Sequence, residues 1–516
     1  MAYDLKRTAM QKLGRLPRPH LPSFADLWRF QRRLDRIPLL KGVAFFVWEK
    51  RWFFISMLVG ALMLQLPLPT GLSREGLIVL TMSIVAVILF VTEPIPLPTV
   101  ALMIIVGQVM LLGLDSSKVA KSLMNDSVLF IMGSLMLAVA VVKQRLDKRI
   151  AYFIVRMTGT KTLNVCMGIT FVSGVLASVI GEHTVAAMML PVAIALIQLT
   201  SEDPKQVRKL AAVILFSISY GCSIAGIGTP SGGARNAIMI GYWKEFFYDP
   251  TNPETRKFIV DYMNWVIHCY PLFLVQLPMV TAVLFYTFRP EHKNIARAVV
   301  RLRQQIEKEG PIKPQGWLAI GLFALILIAW VTISAELGLG TIAVLGAIAF
   351  LVLGLVRWED VNSGVNWGVV LLYASAISLG VQMVDTKAAQ WVATGFVDLV
   401  RPLGVDQGLP LWIAVSTLTT GVTNTMSNGA AVAVLGPITL KMAVAAGESP
   451  LLIGYITAIS SAFAYLTVIG TPACTIVYSS GYLKTTDFLV VGYRMVILSM
   501  VTLMLAGLFY WPLIGL

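Results

Sequence analysis

Nearly uncharged apolar runs of 16 to 20 residues recur along almost the whole of this sequence, and they restrict its fold more than any other feature. At 1.5 Å per residue such a run, coiled as a helix, crosses most or all of a hydrocarbon layer ~30 Å thick. Backbone groups find no water in that layer, so the chain has to satisfy them within helices. With 57% hydrophobic and 13% charged residues, the 516-residue chain reads as an all-α polytopic membrane protein lying in a lipid bilayer. Its four cysteines (Cys166, Cys222, Cys269, Cys474) fall inside apolar segments and read as buried thiols, with neither metal spacing nor a disulfide framework.

A net charge of +14 invites a nucleic-acid partner, but its distribution speaks against one. Residues 1–51 hold twelve Lys/Arg against four acids, and residues 288–315 hold seven against three. Basic excess beside membrane segments keeps those segments on the cytoplasmic side. The expected order is therefore a basic cytoplasmic arm (1–51), a leading helix (52–75), a first repeat (76–287), a cytoplasmic linker (288–315) and a second repeat (316–516). The arm lacks the apolar core and cleavage site of a signal peptide. An amphipathic surface helix is expected over Phe24–Ile37, with Leu27, Phe30, Leu34 and Ile37 at helical spacing. One leading helix and a five-crossing repeat bring both basic segments to the same side; a second five-crossing repeat is then inverted.

Spans are expected at Trp52–Leu68, Gly76–Val91 and Val100–Leu114, with an interfacial segment over Asp115–Asp126. Val128–Val142, short and interrupted by Gly133-Ser134, reads as a re-entrant hairpin, and Trp367–Gln382 as its counterpart. Further spans are Leu163–Ile180, Val185–Leu199, Ala211–Ala225 and Tyr262–Phe288. In the second half come Trp317–Ile333, Thr341–Val356, Leu411–Val422, Ala430–Ala446, Leu451–Val468 and Phe488–Trp511.

Polar breaks interrupt the apolar runs at corresponding places. Gly181-Glu182-His183-Thr184 lies between Asn164–Ile180 and Val185–Thr200, neither of which carries a charge. The second half has Thr423 to Gly429. In both, a proline follows ten residues after the small residue that opens the break (Gly181 to Pro191, Ser427 to Pro437). Gly226 to Asn236 and Ile469 to Cys474 form a second pair. Paired interrupted segments in two halves point to a transporter binding site. An ionisable residue at membrane depth is expensive and faces a protein interior or a water-filled path. Arg235, in a Gly-rich segment, could clamp a carboxylate or sulfate, pair with Glu182, or snorkel to an interface. His183 could shuttle protons or simply bond in the core. Thr423, Ser427 and Asn428, with carbonyls near Gly470, could surround Na⁺; alternatively they only cap helices. A zincin site would need a second histidine four residues from the first, and none follows His183. No Walker-type loop supports ATP-driven pumping.

These residues resemble the divalent anion/sodium symporters, a family carrying dicarboxylates, citrate or sulfate. The resemblance covers roughly residues 76–510. It rests on Glu93-Pro94-Ile95-Pro96-Leu97-Pro98, the Thr184–Pro191 run ending Met-Met-Leu-Pro, Ser427-Asn428, and Gly470-Thr471-Pro472 through Ser480-Gly481-Tyr482-Leu483. It implies two inverted repeats with re-entrant hairpins and interrupted helices, a homodimer, an elevator-type transport body, and a substrate held between two Ser-Asn-Thr loops with a Na⁺ beside each. The second loop falls on Ser427-Asn428-Gly429, losing the threonine; Thr423, Asn428 and Gly470 match Na⁺ ligands. The first loop falls on Gly181-Glu182-His183 and keeps none of the three residues. The family's Thr-Pro-Pro-Asn falls on Gly233-Ala234-Arg235-Asn236 and on Thr471-Pro472-Ala473-Cys474.

The expected protein is a secondary active transporter of a small anion (a di- or tricarboxylate, sulfate or similar) in a bacterial inner membrane. One family-type Na⁺ site remains, and Arg235 held by Glu182 stands in for the other. Substrate-binding candidates are Glu182, His183, Thr184, Arg235, Asn236, Ser427, Asn428, Gly429, Thr471 and Pro472. The alternatives are a Na⁺-independent anion exchanger or proton-coupled carrier, and, more distantly, a membrane-embedded enzyme using Glu182 and His183.

Overall fold

Gly181 and Ser427 each turn the chain back on itself, and the rest of the fold is arranged around these two reversals. In this computed structural model, residues 46–144, 159–201, 203–307 and 313–516 are described. The expected surface helix over Phe24–Ile37 lies outside them. Ten helices in this set are long and apolar enough to cross a membrane, and the β-structure among these residues is an isolated bridge between Lys161 and Asn294.

The leading helix α1 (Arg51–Gln65) is followed by α2 (Arg74–Thr92), α3 (Leu97–Leu112), the short α4 (Ser116–Leu123) and α5 (Asp126–Lys143). Then come α6 (Thr162–Ile180), α7 (Glu182–Thr200), α8 (Arg208–Ala225), α9 (Ala234–Phe247) and α10 (Tyr262–Phe288). Within the linker, α11 (Ala296–Glu307) lies against α7. The second half has α12 (Pro314–Leu337), α13 (Leu339–Val352), α14 (Trp358–Gly364), α15 (Trp367–Asp385) and α16 (Ala388–Val400). It ends with α17 (Gly408–Thr423), α18 (Asn428–Ala446), α19 (Pro450–Ser460), α20 (Pro472–Tyr478) and α21 (Thr485–Leu505). The order of long, short, paired and interrupted helices in α2–α10 returns in α12–α21. The halves also exchange partners: α5 packs on α13 and α3 on α15.

Hydrogen bonds at the helix ends reveal two hairpins. Thr162, which opens α6, donates through Oγ1 to the His292 carbonyl at 2.5 Å. His292 Nε2 lies 3.1 Å from the carbonyl of Gln206, just beyond α7. The chain therefore enters and leaves α6–α7 at one face. Likewise the amide of Gly408, which opens α17, donates to Glu448, just past α18, at 2.7 Å. The two openings lie on opposite faces. The end of α10 and the start of α21 adjoin the first, through Glu291 bonded to the Lys209 amide (2.9 Å) and Arg208 paired with Asp487 (3.5 Å). The end of α21 adjoins the second, where Gly507 packs on Trp412 of α17. α10 and α21 run antiparallel between these faces, with Arg494 bonded to Thr287 near one end and Tyr510 to Ile267 near the other.

This placement corrects the expected hairpins. Val128–Val142 and Trp367–Gln382 lie within single unbroken helices, α5 and α15. Their glycines admit neighbours: a Cβ on Gly133 would sit 2.6 Å from Ala343 Cβ, and one on Gly380 3.0 Å from Pro437. Small residues let membrane helices approach closely without breaking them. The re-entrant hairpins are instead α6–α7 and α17–α18, the elements that carry the polar breaks. Two further boundaries move. The helix expected to run from Leu451 to Val468 ends at Ser460, and the linker contains α11, anchored by buried Ile295, Ala298 and Val299. α8 lies at the centre, with 89% of its apolar window buried against 22% for α12.

Gly133→Val should lower the melting temperature of the detergent-solubilised protein, by about 1–3 kcal/mol of overpacking against α13. Gly321→Ala, where nothing lies within 4 Å of the new methyl, should leave it unchanged or slightly raised.

Candidate functional site

Each reversal ends in a helix N-terminus that points into the protein. Gly181 adopts φ 87° and ψ 146°, a conformation strained for residues with a Cβ, and this lets α7 start one residue after α6 stops. Ser427 caps α18, accepting from the Ala430 amide at 3.4 Å. Pro191 and Pro437 both lie ten residues beyond their cap, inside α7 and α18. The other breaks are built alike: α8 stops at Ala225 and α9 starts at Ala234, while α19 stops at Ser460 and α20 starts at Pro472. Gly233 and Thr471 are the N-cap residues of α9 and α20. Gly233-Ala234-Arg235-Asn236 thus occupies the place of Thr471-Pro472-Ala473-Cys474, and the earlier Thr229-Pro230 instead opens a 3₁₀ turn.

Three side chains join these ends. Arg235, 1% exposed, has Nη1 3.6 Å from Oε1 of Glu182, which is 7% exposed. Nη1 also lies 3.1 Å from the Asn428 amide. Among the described residues Arg235 Nε and Nη2 and Glu182 Oε2 are buried without hydrogen-bond partners. The N-termini of α7, α9 and α18 therefore gather around one buried guanidinium, and the Gly470 carbonyl ahead of α20 lies against Asn428. Their exposed amides and dipoles favour an anion. A cation in the first turn of α9 is disfavoured by the same dipole, which Glu182 offsets. Of the three alternatives for Arg235, snorkelling to an interface is excluded by its burial.

Asn428 faces two ways. One end of its amide lies 2.9 Å from Thr423 Oγ1 and 3.1 Å from each of the Ser461 and Gly470 carbonyls; the other meets Arg235 and, at 3.4 Å, Glu182. With nitrogen on the Thr423 side, the amide donates to these oxygens and accepts from Arg235. With oxygen there, four oxygens face one another with the Thr423 hydroxyl as the one donor among them, an arrangement that suits a cation. Carbonyl, amide and hydroxyl oxygens suit a hard cation. Thr423, Asn428 and Gly470 thus meet as expected from the sequence, and the Ser461 carbonyl joins them.

Several of the remaining candidates serve the frame. Asn236 Nδ2 ties the first break by donating to the Gly226 and Thr229 carbonyls, both at 2.7 Å. Thr471 accepts from the Cys474 amide at 3.1 Å, and Pro472 starts α20. Gly429 lies under the Tyr373 ring, which a Cβ would strike. Half-buried His183 and buried Thr184 sit at the first tip without a hydrogen bond to Arg235.

Several supporting residues were missed. Asn424 pins the second tip to the irregular segment after α19, donating to the Phe463 carbonyl at 3.1 Å and accepting from the Leu466 amide at 2.9 Å. Thr229 and Ser231 (3.0 Å) do the same at the first tip through the Ser178 carbonyl. Asn424 stood in plain view in the Thr423–Gly429 break; the Ser461 carbonyl has no side-chain signature. No group of three or more His, Cys, Asp or Glu able to hold a metal occurs among the described residues.

A family model described as the sodium:sulfate symporter transmembrane region matches residues 48–516. The chain belongs to this family. This symporter-family chain is a secondary active anion transporter, a multi-pass membrane protein and not an enzyme. It is similar to the sodium-dependent dicarboxylate transporter SdcS of Staphylococcus saprophyticus, 24% identical over 493 residues, which cover 89% of this chain and 91% of that one. The Staphylococcus aureus protein of the same name (strain USA300) is 23% identical over 492 residues, with the same coverage. Among solved structures, the Neisseria gonorrhoeae transporter MtrF shares the fold with a TM-score of 0.50 and 12% identity, covering 93% of this chain and 97% of its own.

Glu182→Gln leaves Arg235 buried without its carboxylate and should cost about 3–5 kcal/mol, read as a fall in melting temperature. Glu182→Gln combined with Arg235→Gln should recover part of that loss in a double-mutant cycle.

Proposed function

We propose that this protein carries a small dianion, a C4-dicarboxylate or sulfate, between the two hairpin tips. One Na⁺ is bound by Thr423, Asn428, Ser461 and Gly470, and Arg235 replaces the other. The observation that carries this reading is the buried guanidinium with two unpartnered nitrogens, set where three helix N-termini meet. Sodium dependence and dicarboxylate transport in the SdcS relatives support it.

In this reading the covalently held charge of Arg235 does at the first tip what a bound ion does at the second. Glu182 keeps it in register while the site is empty, and Nε and Nη2 meet the substrate's anionic oxygens. Ser427, Thr184 and the amides opening α7 and α18 complete the cradle. A fixed cation cannot be released with the substrate, so coupling falls to about one Na⁺ per cycle. The face carrying the linker and the first hairpin's opening is cytoplasmic, as its basic residues favour. The hairpins travel with the substrate in an elevator motion within a homodimer in a bacterial inner membrane. His183, half-buried beside Glu182, favours the second reading, proton-coupled or Na⁺-independent exchange.

Uptake of labelled succinate and sulfate into proteoliposomes separates these readings. Wild-type uptake should rise with external Na⁺ at a Hill coefficient of about one. Asn428→Ala should lower uptake roughly tenfold to a hundredfold, the range for losing a charge-assisted hydrogen bond of ~1.5–3 kcal/mol. Arg235→Ala should abolish it. Full uptake by Arg235→Ala with unchanged Na⁺ dependence would overturn the substitution, and counterflow indifferent to Na⁺ would favour exchange.

A further inference from the structure

Away from the hairpin tips, on the face that carries the linker, α8, α10 and α21 leave a cavity of about 690 Å³. Lys205, Arg208, Lys209, Arg289 and Arg494 line it, with two acids, Glu291 and Asp487. Both acids are engaged. Glu291 accepts from the Lys209 and Leu210 amides, each at 2.9 Å, closing the start of α8. Asp487 accepts from the Lys484 amide at 2.8 Å and pairs with Arg208. Among the described residues, Lys205, Lys209 and Arg289 have no ion-pair partner, so the cavity keeps a surplus of positive charge. Nothing in the transport site uses it.

The wall toward the bilayer has a different character. Arg494 lies nine residues into α21, about 14 Å along the helix axis. Its guanidinium stands over the rings of Tyr286 (5.4 Å) and Tyr493 (5.3 Å) and donates to Thr287 at 2.7 Å. Tyr286 is 68% exposed, and on the same side of α21 Leu489 and Ile497 are more than half exposed. A cationic cavity thus opens past an aromatic rim onto an apolar, lipid-facing helix. Tyrosines mark the headgroup level, and basic pockets between transmembrane helices hold anionic headgroups.

We propose that this cavity binds a phosphate-type anion, with Lys205, Lys209, Arg289 and Arg494 on its oxygens. Such a phosphate can come from an acidic phospholipid headgroup, whose acyl chains would lie along Leu489 and Ile497, or from free phosphate. Bound there, it ties together α8, α10 and α21, three helices adjoining the first hairpin.

The test compares the melting temperature of the full-length protein in neutral detergent with added short-chain phosphatidylglycerol, phosphatidylcholine of the same chain length, or inorganic phosphate. The variant is Lys205→Gln/Lys209→Gln/Arg289→Asn, three exposed positions outside the transport site, with Asn tolerating the left-handed backbone at Arg289 (φ 47°). Phosphatidylglycerol should raise the wild-type midpoint by several degrees where phosphatidylcholine does not, and the variant should lose most of that rise. A rise with phosphatidylglycerol alone supports the lipid source; an equal rise with inorganic phosphate supports the free anion. No rise in the wild type, or an equal rise in the variant, overturns the proposal. Succinate uptake by the variant in phosphatidylcholine vesicles should match wild type, which separates loss of this site from misfolding.

Discussion

The contact between the two hairpin tips is the constraint on which the rest of the structure depends. Glu182, Arg235 and Asn428 come from three helices in two halves of the chain, and all are buried. An arginine at membrane depth is tolerated when its charge is answered. Here a single carboxylate answers it through one nitrogen, 3.6 Å away, and leaves Nε and Nη2 without partners. The tips can meet only because the hairpins enter from opposite faces, and that follows from the inverted orientation of the same helix order in the two halves.

Around this contact the backbone supplies what side chains do not. Helix N-termini bring positive potential to the centre, and the carbonyls of Ser461 and Gly470 bring oxygen lone pairs. The breaks that expose them are pinned by Asn236 and Asn424, whose side chains take over hydrogen bonds the interrupted helices lack. The two halves have diverged within this shared plan. Asn428 has oxygens around it that can hold an ion; its counterpart at the start of the first hairpin's second helix is Glu182, facing a guanidinium. One tip gathers oxygens around an amide, and the other contains a guanidinium.

Much of the plan was legible in the sequence because membrane burial leaves a strong signal. Uncharged runs located nearly every span, and Gly181 and Ser427, each ten residues before a proline, marked the tips. The hairpin assignment went astray for a physical reason. Gly133-Ser134 and Gly380 look like breaks in one dimension, yet they are points where helices cross closely, and small residues serve both purposes. Only the neighbour decides, and Ala343 and Pro437 are remote in sequence.

What the sequence by itself determined is a two-part helical membrane protein with paired polar interruptions, because the bilayer penalises every unpaired charge and backbone group along the chain. Tertiary structure alone decided which interruptions are hairpin tips and that Arg235 turns inward to Glu182 and Asn428. It also decided that the Ser461 carbonyl joins Thr423, Asn428 and Gly470. These depend on distances between segments up to about 250 residues apart, set by the packing of helices whose surfaces look alike in sequence.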